Sequence, residues 1–398
     1  MPRIAFYSHD TMGLGHVRRN LLLAEAVTRH DWSTTALLIS GVHIGAAFGM
    51  PPNVDCVTLP ALSKNGADGT YGARHLAIPL TRVVHLRART MQAALLAFDP
   101  DVLVIDNVPK GAVGEAEPAL AALKARGRTS LVLGLRDVLD EPDVVAREWC
   151  RAGYHETIER YYDEVWVYGD PAIYDVAREC AFPASTRNKI EYVGYLDRRS
   201  IPTRRPADAT EPTLRQRFAL CMTGGGEDGS ALALAFARTG STTLPRVVVG
   251  GPFLPDATQR SLRALAAAQP DLHVVDFSPH TAGMIERASR LVTMGGYNTV
   301  CESLGCCTPM LIVPREWPRR EQAIRAERLQ AFGLCDVLPL SQLSPDAVRA
   351  WLLKPVPAPS VTGIRFTAVQ RVPELVARLL GAPTGGCAAP VRGRLLAS

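Results

Sequence analysis

The sequence predicts an α/β protein built from two Rossmann-like domains, each a doubly wound parallel sheet, facing a central cleft. Three observations predict it. Short apolar runs alternate with amphipathic helical stretches along the chain, the pattern of a parallel sheet covered on both faces. The first apolar run of each half is followed at once by a glycine loop and then a helix, which is the opening of a βαβ unit. Between the halves lies DRRSIPTRRPADATEP, beginning at Asp197, with three prolines and no apolar periodicity. That is the texture of an inter-domain linker.

In the first half the apolar run 4–8 enters the loop DTMGLGH at 10–16 and then a helix over 17–29, with Leu21, Leu22, Ala24, Ala26 and Val27 as its apolar positions. Further buried strands are expected at 35–40, 101–105, 130–135, 164–168 and 189–193. An amphipathic helix over 80–98 is stopped by Asp99-Pro100. The second half restarts with a strand at 218–222, the loop TGGGEDG at 223–229 and a helix over 230–238. Strands follow at 246–249, 273–276, 290–293 and 310–313, and a helix over 364–380, with a kink at Pro373, closes the fold. The expected organisation is a first domain over 1–196, a linker over 197–213, a second domain over 214–363, the closing helix, and a mobile Gly/Ala/Pro-rich tail over 381–398.

With 398 residues, 47% hydrophobic and 21% charged, the chain has material for two full cores, and a largely disordered protein is excluded. No apolar run reaches the ~18 residues that mark a membrane span. The first residues lack the cationic stretch, long apolar run and small-residue site of a signal peptide, so the expected location is cytoplasmic. A net charge of +5 is too weak and too dispersed for a nucleic-acid partner. It suits an anionic ligand, and equally a peripheral contact with an anionic membrane surface. The nine cysteines are scattered without a CxxC pair. This argues against a zinc knuckle or thioredoxin-type site and leaves reduced thiols as the default.

The chemistry is concentrated in residues 291–334. A strand ends at Met294, and Gly295-Gly296 turns the backbone sharply and leaves amides uncovered. A helix begins at Asn298, and a helix N-terminus, with unpaired N–H groups and partial positive charge, binds phosphate. Thr299 adds a hydroxyl. Glu302, about a turn into the helix, can reach a sugar diol beyond the phosphate, or it can be a solvated first-turn acid favoured by the helix dipole. In the first half, Gly13 and Gly15 let the backbone approach a ligand without Cβ clashes. They are followed by His16, an imidazole suited to taking a hydroxyl proton near neutral pH. Asp106-Asn107 stands at the end of another strand, where it can contact a ligand, orient His16 or simply form a turn. Asp10 is a further candidate base.

The spacing Gly295-Gly296-x-x-Thr299-x-x-Glu302, then Val313-Pro314, then Glu321-Gln322, resembles the donor-binding region of GT-B glycosyltransferases, above all the group of the lipid II-forming N-acetylglucosaminyl transferase. Thr223-Gly224-Gly225-Gly226 resembles that group's second glycine loop, Phe277-Ser278-Pro279-His280 its nucleobase-contacting segment, and Gly13-Leu14-Gly15-His16 its GxGH loop. The resemblance covers about residues 3–380, with little to match over 40–200. It implies a GT-B fold with the acceptor on the first domain and a nucleotide sugar on the second. Glu302 then binds the ribose hydroxyls. Glu321 and Gln322 bind the transferred sugar, the family's pair being often Asp-Gln; the alternative for Glu321 is an exposed pair with Arg325 at i+4. Gly224, Gly225, Gly226, Gly295, Gly296, Asn298 and Thr299 surround the diphosphate, Ser278 lies by the base, and His16 is the catalytic base. Asp10, Gly13, Gly15, Asp106 and Asn107 line the acceptor side of the cleft.

The expected activity is transfer of a hexose-type sugar from a nucleotide diphosphate, with inversion and without a resident metal or other cofactor, to an acceptor hydroxyl on a lipid, secondary metabolite or glycan. A UDP-sugar is the first expectation for the donor and a dTDP-sugar the second. A nicotinamide dehydrogenase is disfavoured, because Arg18 stands where the third glycine of its fingerprint belongs and the second strand ends without an acid. The alternatives retained are a nucleotide-sugar epimerase or hydrolase of the same fold and a non-catalytic nucleotide-sugar-binding subunit.

Overall fold

A computed structural model describes residues 1–9, 14–42, 49–64, 70–201, 216–225, 228–278 and 280–381. The expected Asp10, Gly13 and Gly226, most of the expected linker at 197–213, and the tail beyond 381 lie outside the described residues.

Strands β1 (Arg3–Ser8), β2 (Thr35–Ser40), β3 (Val54–Thr58), β6 (Val102–Asp106), β7 (Ser130–Arg136), β8 (Glu164–Tyr168) and β9 (Ile190–Tyr192) form one parallel sheet in the order β3-β2-β1-β6-β7-β8-β9. Strands β10 (Phe218–Met222), β11 (Arg246–Val249), β12 (Leu272–Val275), β13 (Ala288–Thr293), β14 (Met310–Ile312) and β15 (Asp336–Val337) form a second, in the order β12-β11-β10-β13-β14-β15. A short antiparallel hairpin, β4 (Leu62–Lys64) with β5 (Tyr71–Ala73), stands apart from both.

The continuous apolar strands follow from a sheet buried on both sides. Successive side chains of a strand point to opposite faces. Ile4 and Phe6 of β1 accordingly join one apolar cluster, while Ala5 and Tyr7 join another. In β10, Phe218 and Leu220 join the first cluster, and Ala219 and Cys221 a third. The first cluster runs from Phe6, Val104 and Trp166 through Tyr195 and Tyr297 to Leu220, Leu291 and Ile312, so the inner faces of the two sheets share one core.

Three elements were not expected from the sequence. Strand β3, VDCVT, is an edge strand with only Val54 fully buried, so it lacks an apolar run. The β4-β5 hairpin and β15 have three and two residues per strand, too few to establish a period. The first helix is Gly15–His30, not 17–29, so His16 stands in its first turn rather than in the loop. The closing helix is Ala368–Leu379, continuous through Pro373. It starts later than expected because residues 365–367 are engaged elsewhere. The Tyr195 N–H donates to the Arg365 carbonyl (2.7 Å), and Thr367 Oγ1 donates to the Val193 carbonyl (2.8 Å). Gly194 between them has φ +85°, and a Cβ there would lie 2.5 Å from Thr367 Oγ1, so only glycine fits. The closing helix then packs on helix Gly15–His30, returning the chain to its first half.

Candidate functional site

In an open parallel sheet the crevice lies beyond the carboxyl ends of the strands where their order reverses. In the first sheet that point is β1 with β6, whose last residues Ser8 and Asp106 are register partners. In the second it is β10 with β13, followed by Thr223-Gly224-Gly225 and by Met294-Gly295-Gly296.

At the first switch point Asp106 is fully buried. Its Oδ2 lies 3.1 Å from His16 Nδ1, and both its oxygens accept from Arg19. His16 and Arg19, three apart on one helix, share a face. Burial pushes the Asp106 carboxyl up, but the Arg19 guanidinium and then His16 outweigh it and hold it down at about 2. Asp106 is therefore ionised at neutral pH and only accepts. Arg19 Nη2 is also 3.0 Å from His16 Nδ1. The two contacts ask for opposite tautomers: a proton on Nδ1 to donate to Asp106, or a lone pair there to accept from Arg19. The Arg19 guanidinium lies over the Tyr168 and Tyr297 rings at 5.3 and 5.5 Å, so a residue of the second half helps hold it. Asn107 makes the turn after Asp106 at φ +85°, donating its N–H to the Gly134 carbonyl (3.1 Å).

His9, directly after β1, is buried with its ring 4.7 Å from that of His16. Burial, followed by the neighbouring His16, pushes its pKa well below the usual histidine value. Its Nδ1 has no partner among the described residues.

The second switch point is made largely of backbone. Gly224 has φ +70° and Gly295 φ +82°. A Cβ on Gly295 would lie 2.7 Å from Ile312 Cγ2, whereas one on Gly296 would meet nothing within 4 Å. One side of this turn is thus packed and the other open. Gly296 caps helix Tyr297–Gly305 with no side-chain hydrogen bond, and the first turn carries no acid. Among the described residues no side chain caps its leading N–H groups, which are placed to serve a ligand. Asn298 Nδ2 donates to the Gly15 carbonyl (2.9 Å), tying the two glycine turns together across the cleft. Thr299 is buried in the same turn.

Glu302 is brought to the cleft but is engaged by the opposite domain. Arg18 donates to its Oε1 (2.7 Å) and to Thr281 Oγ1 (2.8 Å), and Thr281 Oγ1 lies 3.3 Å from Glu302 Oε2. The cavity beside them, lined among others by Arg18, Asn298, Cys301 and Glu302, has about 20 Å³, room for about one water. The domains are closed on each other here. Ser278 Oγ accepts from the His280 N–H (3.2 Å) at the start of helix Thr281–Arg287.

Glu321 and Gln322 both address Arg315. Arg315 Nη2 donates to Glu321 Oε1 (2.6 Å), Arg315 Nη1 to Asp228 Oδ2 (3.0 Å), and the Arg315 backbone N–H to Gln322 Oε1 (3.0 Å). The exposed Glu321–Arg325 pair weighed as an alternative does not form. Glu321 is 5% exposed, and Arg325 instead crosses the cleft to Asp137 through Nε (2.9 Å) and Nη2 (2.7 Å) while donating to the Gly295 carbonyl (3.0 Å). Arg319 and Arg320 extend this bridge to Asp140 and Glu141.

Sequence reasoning singled out neither His9, Arg19, Thr281 and Arg315 nor the Asp137–Arg325 bridge, and used Arg18 only to argue against a dinucleotide fingerprint. A partial signal for one of them was present: an arginine three residues after a histidine lies on the same helix face.

No protein-family model and no curated protein sequence matches the chain. Solved structures do. A glycotransferase of kitacinnamycin superposes with a TM-score of 0.64 at 16% identity, covering 95% of this chain and 99% of that one. MurG of Acinetobacter baumannii gives 0.56 at 14%, covering 95% and 100%. MnaA of S. aureus, solved with UDP, gives 0.63 at 9%, covering 98% and 99%. The chain has the GT-B fold these proteins share, two Rossmann-like α/β domains facing a cleft.

Proposed function

We propose that the chain is a glycosyltransferase that moves a hexose from a nucleoside diphosphate donor to an acceptor hydroxyl with inversion. The observation that carries this reading is a half-buried His16 set on the buried Asp106–Arg19 pair at one switch point, tied through Asn298 and Gly15 to an uncapped helix N-terminus at the other. One side supplies a base held by an ionised carboxylate, the other a cradle for phosphate.

In this reading the His16 proton sits on Nδ1 and is donated to Asp106. Nε2 then has the lone pair and removes the acceptor proton. The acceptor oxygen bonds to the anomeric carbon as the bond from that carbon to the diphosphate oxygen breaks, and the electron pair leaves with the diphosphate. One displacement inverts the centre. Amides at the start of helix Tyr297–Gly305 and of the Gly224-Gly225 turn stabilise the departing charge, the part a metal plays in other transferases. Glu302 holds the ribose, Ser278 lies toward the base, and Glu321 and Gln322 read the sugar. A UDP-sugar is the donor proposed first, because MnaA, of the same fold, was solved with UDP. Leu76, Ile78 and Leu86 are exposed beside Arg82 and Arg89, and this supports peripheral contact with an anionic membrane. No helix among the described residues is long and apolar enough to cross one.

The test is calorimetric titration with UDP and thermal-shift screening of UDP- and dTDP-sugars. Glu302→Ala removes hydrogen bonds to a charged group worth roughly 1.5–3 kcal/mol each, so UDP affinity is expected to fall about tenfold or more with folding intact. Unchanged UDP binding in that variant sinks the ribose assignment.

A further inference from the structure

Resting on that reading, we infer that Arg136, at the carboxyl end of β7, reads the transferred sugar from the first domain, sharing one of its hydroxyls with Glu321 of the second. The site therefore takes a neutral, hydroxyl-bearing hexose rather than its deoxy counterpart.

Three buried polar atoms at this end of the cleft lack partners: Arg136 Nε, Arg315 Nε and Glu321 Oε2. Such atoms are rare in folded proteins and costly to leave unpaired. Glu321 is nearly fully buried, with Oε1 taken by Arg315 and Oε2 unused. Arg136 is the more unusual. Its neighbours in the cleft are all committed, Arg19 to Asp106 and Arg325 to Asp137, whereas its own guanidinium makes no hydrogen bond or ion pair with any described residue. Burial lowers its pKa, and of the charges around it the one that most favours its charged form is Glu321. Arg136 precedes Asp137, whose bridge to Arg325 holds this end of β7 against the helix that Glu321 begins, and no hydrogen bond or salt bridge joins Arg136 to Glu321.

The chemistry of the gap selects the occupant. A phosphate or carboxylate placed there would accept from Arg136 but stand against the unpaired Glu321 oxygen. A hydroxyl satisfies both, accepting from the guanidinium and donating to the carboxylate. The two residues arrive from different domains, so the hydroxyl is gripped only when the cleft is closed. A site built to hydrogen-bond a hydroxyl rejects the analogue lacking it, because its own buried groups are then left unpaired.

The experiment is calorimetry on the full chain with UDP, UDP-glucose, UDP-galactose and UDP-N-acetylglucosamine, followed by the 3-, 4- and 6-deoxy forms of whichever sugar binds best. For the wild type, one deoxy form is expected to bind ten- to a hundredfold more weakly than its parent. In Arg136→Met the parent loses about tenfold, UDP is unchanged, and the penalty for that deoxy form disappears. The melting temperature of the empty variant stays level or rises, since an unpaired, partly buried charge has been removed. Arg136→Lys, with charge but no fork, should fall between the two and serves if the methionine variant does not fold. Equal loss of UDP and UDP-sugar would make Arg136 a diphosphate contact and overturn the inference. So would a lowered melting temperature with discrimination intact, the mark of a structural role. UDP binding without any gain from a sugar overturns the inference alone. Failure of the wild type to bind UDP or any of the nucleotide sugars overturns the transferase reading with it.

Discussion

The two edges of the cleft are built from different materials. On the first sheet the edge is made of ionisable side chains, His9, His16, Arg19, Asp106 and Arg136, which reach it from three strand ends and a helix. On the second it is largely glycine and uncapped backbone, with Glu302 and Glu321 behind. A backbone cradle holds charge without protons to lose, so it is indifferent to pH and suits a part of the ligand that never changes. A cluster in which an imidazole stands against an ionised carboxylate and a guanidinium can pass a proton, and in the proposed reading it serves the step in which a proton moves. In the proposed reading, the first domain carries the proton transfer and the second the phosphate, with the sugar held between them.

Four substitutions press on that division. His16→Ala removes the proposed base and is expected to lower kcat by about 10²–10⁴, with UDP affinity within a few-fold, by steady-state kinetics with any acceptor that turns over. If UDP binding collapses while kcat at saturation holds, the first edge binds rather than reacts. Gly295→Ala tests the other edge. Its positive φ and the close Ile312 methyl should cost roughly 1–3 kcal/mol in denaturant unfolding and weaken UDP, while the pH profile of the remaining activity keeps its shape. His9→Gln concerns acid sensitivity. Because the folded state holds His9 well below the usual histidine pKa while the unfolded chain protonates it near ~6.5, stability is lost as pH falls through that value. The wild type should lose about 1–2 kcal/mol more than the variant between pH 7 and pH 5, read from paired melts; parallel curves would mean that His9 is not buried as neutral imidazole. Arg18→Ala frees Glu302 from its cross-cleft partner. By the worth of a partly exposed ion pair, up to about 1 kcal/mol, UDP should bind about two- to fivefold more tightly, and weaker binding would mean that Arg18 contacts the nucleotide.

The same division explains what could be read from the sequence. A backbone cradle needs glycines at fixed offsets within one segment, so Gly295-Gly296 through Glu302 was visible as a contiguous pattern, and the alternating apolar runs revealed both sheets. The other edge is assembled from residues about 30 to 100 positions apart. His16 and Asp106 were noticed, but nothing in the string says that Arg19 binds Asp106 or that Asp137, beside Arg136, binds Arg325. Glu321 shows the limit most clearly. Four residues before Arg325, it left an exposed helical pair open beside the sugar-contact role, and the actual partner of Arg325 is Asp137, 188 positions away, because a buried guanidinium at the domain interface takes the carboxylate that is buried with it.

The pairing of residues 193–195 with 365–368 bears on how the cleft can open. The chain passes between the domains twice, and the two passages are laced side by side by backbone hydrogen bonds from Tyr195 to Arg365 and from Ala368 to Tyr195, with Gly194 pressed against Thr367. A single tether would let the domains twist and slide in any direction. Two tethers fixed to each other leave one easy motion, rotation about the line that joins them, like the cover of a book about its spine. Arg18, Asn298 and Arg325 bridge the domains close to that spine: the Tyr297 ring under Arg325 lies 6.3 Å from that of Tyr195, and Leu196 lines the same small cavity as Arg18 and Asn298. Entry of a ligand and release of the cross-cleft ion pairs then become the same movement.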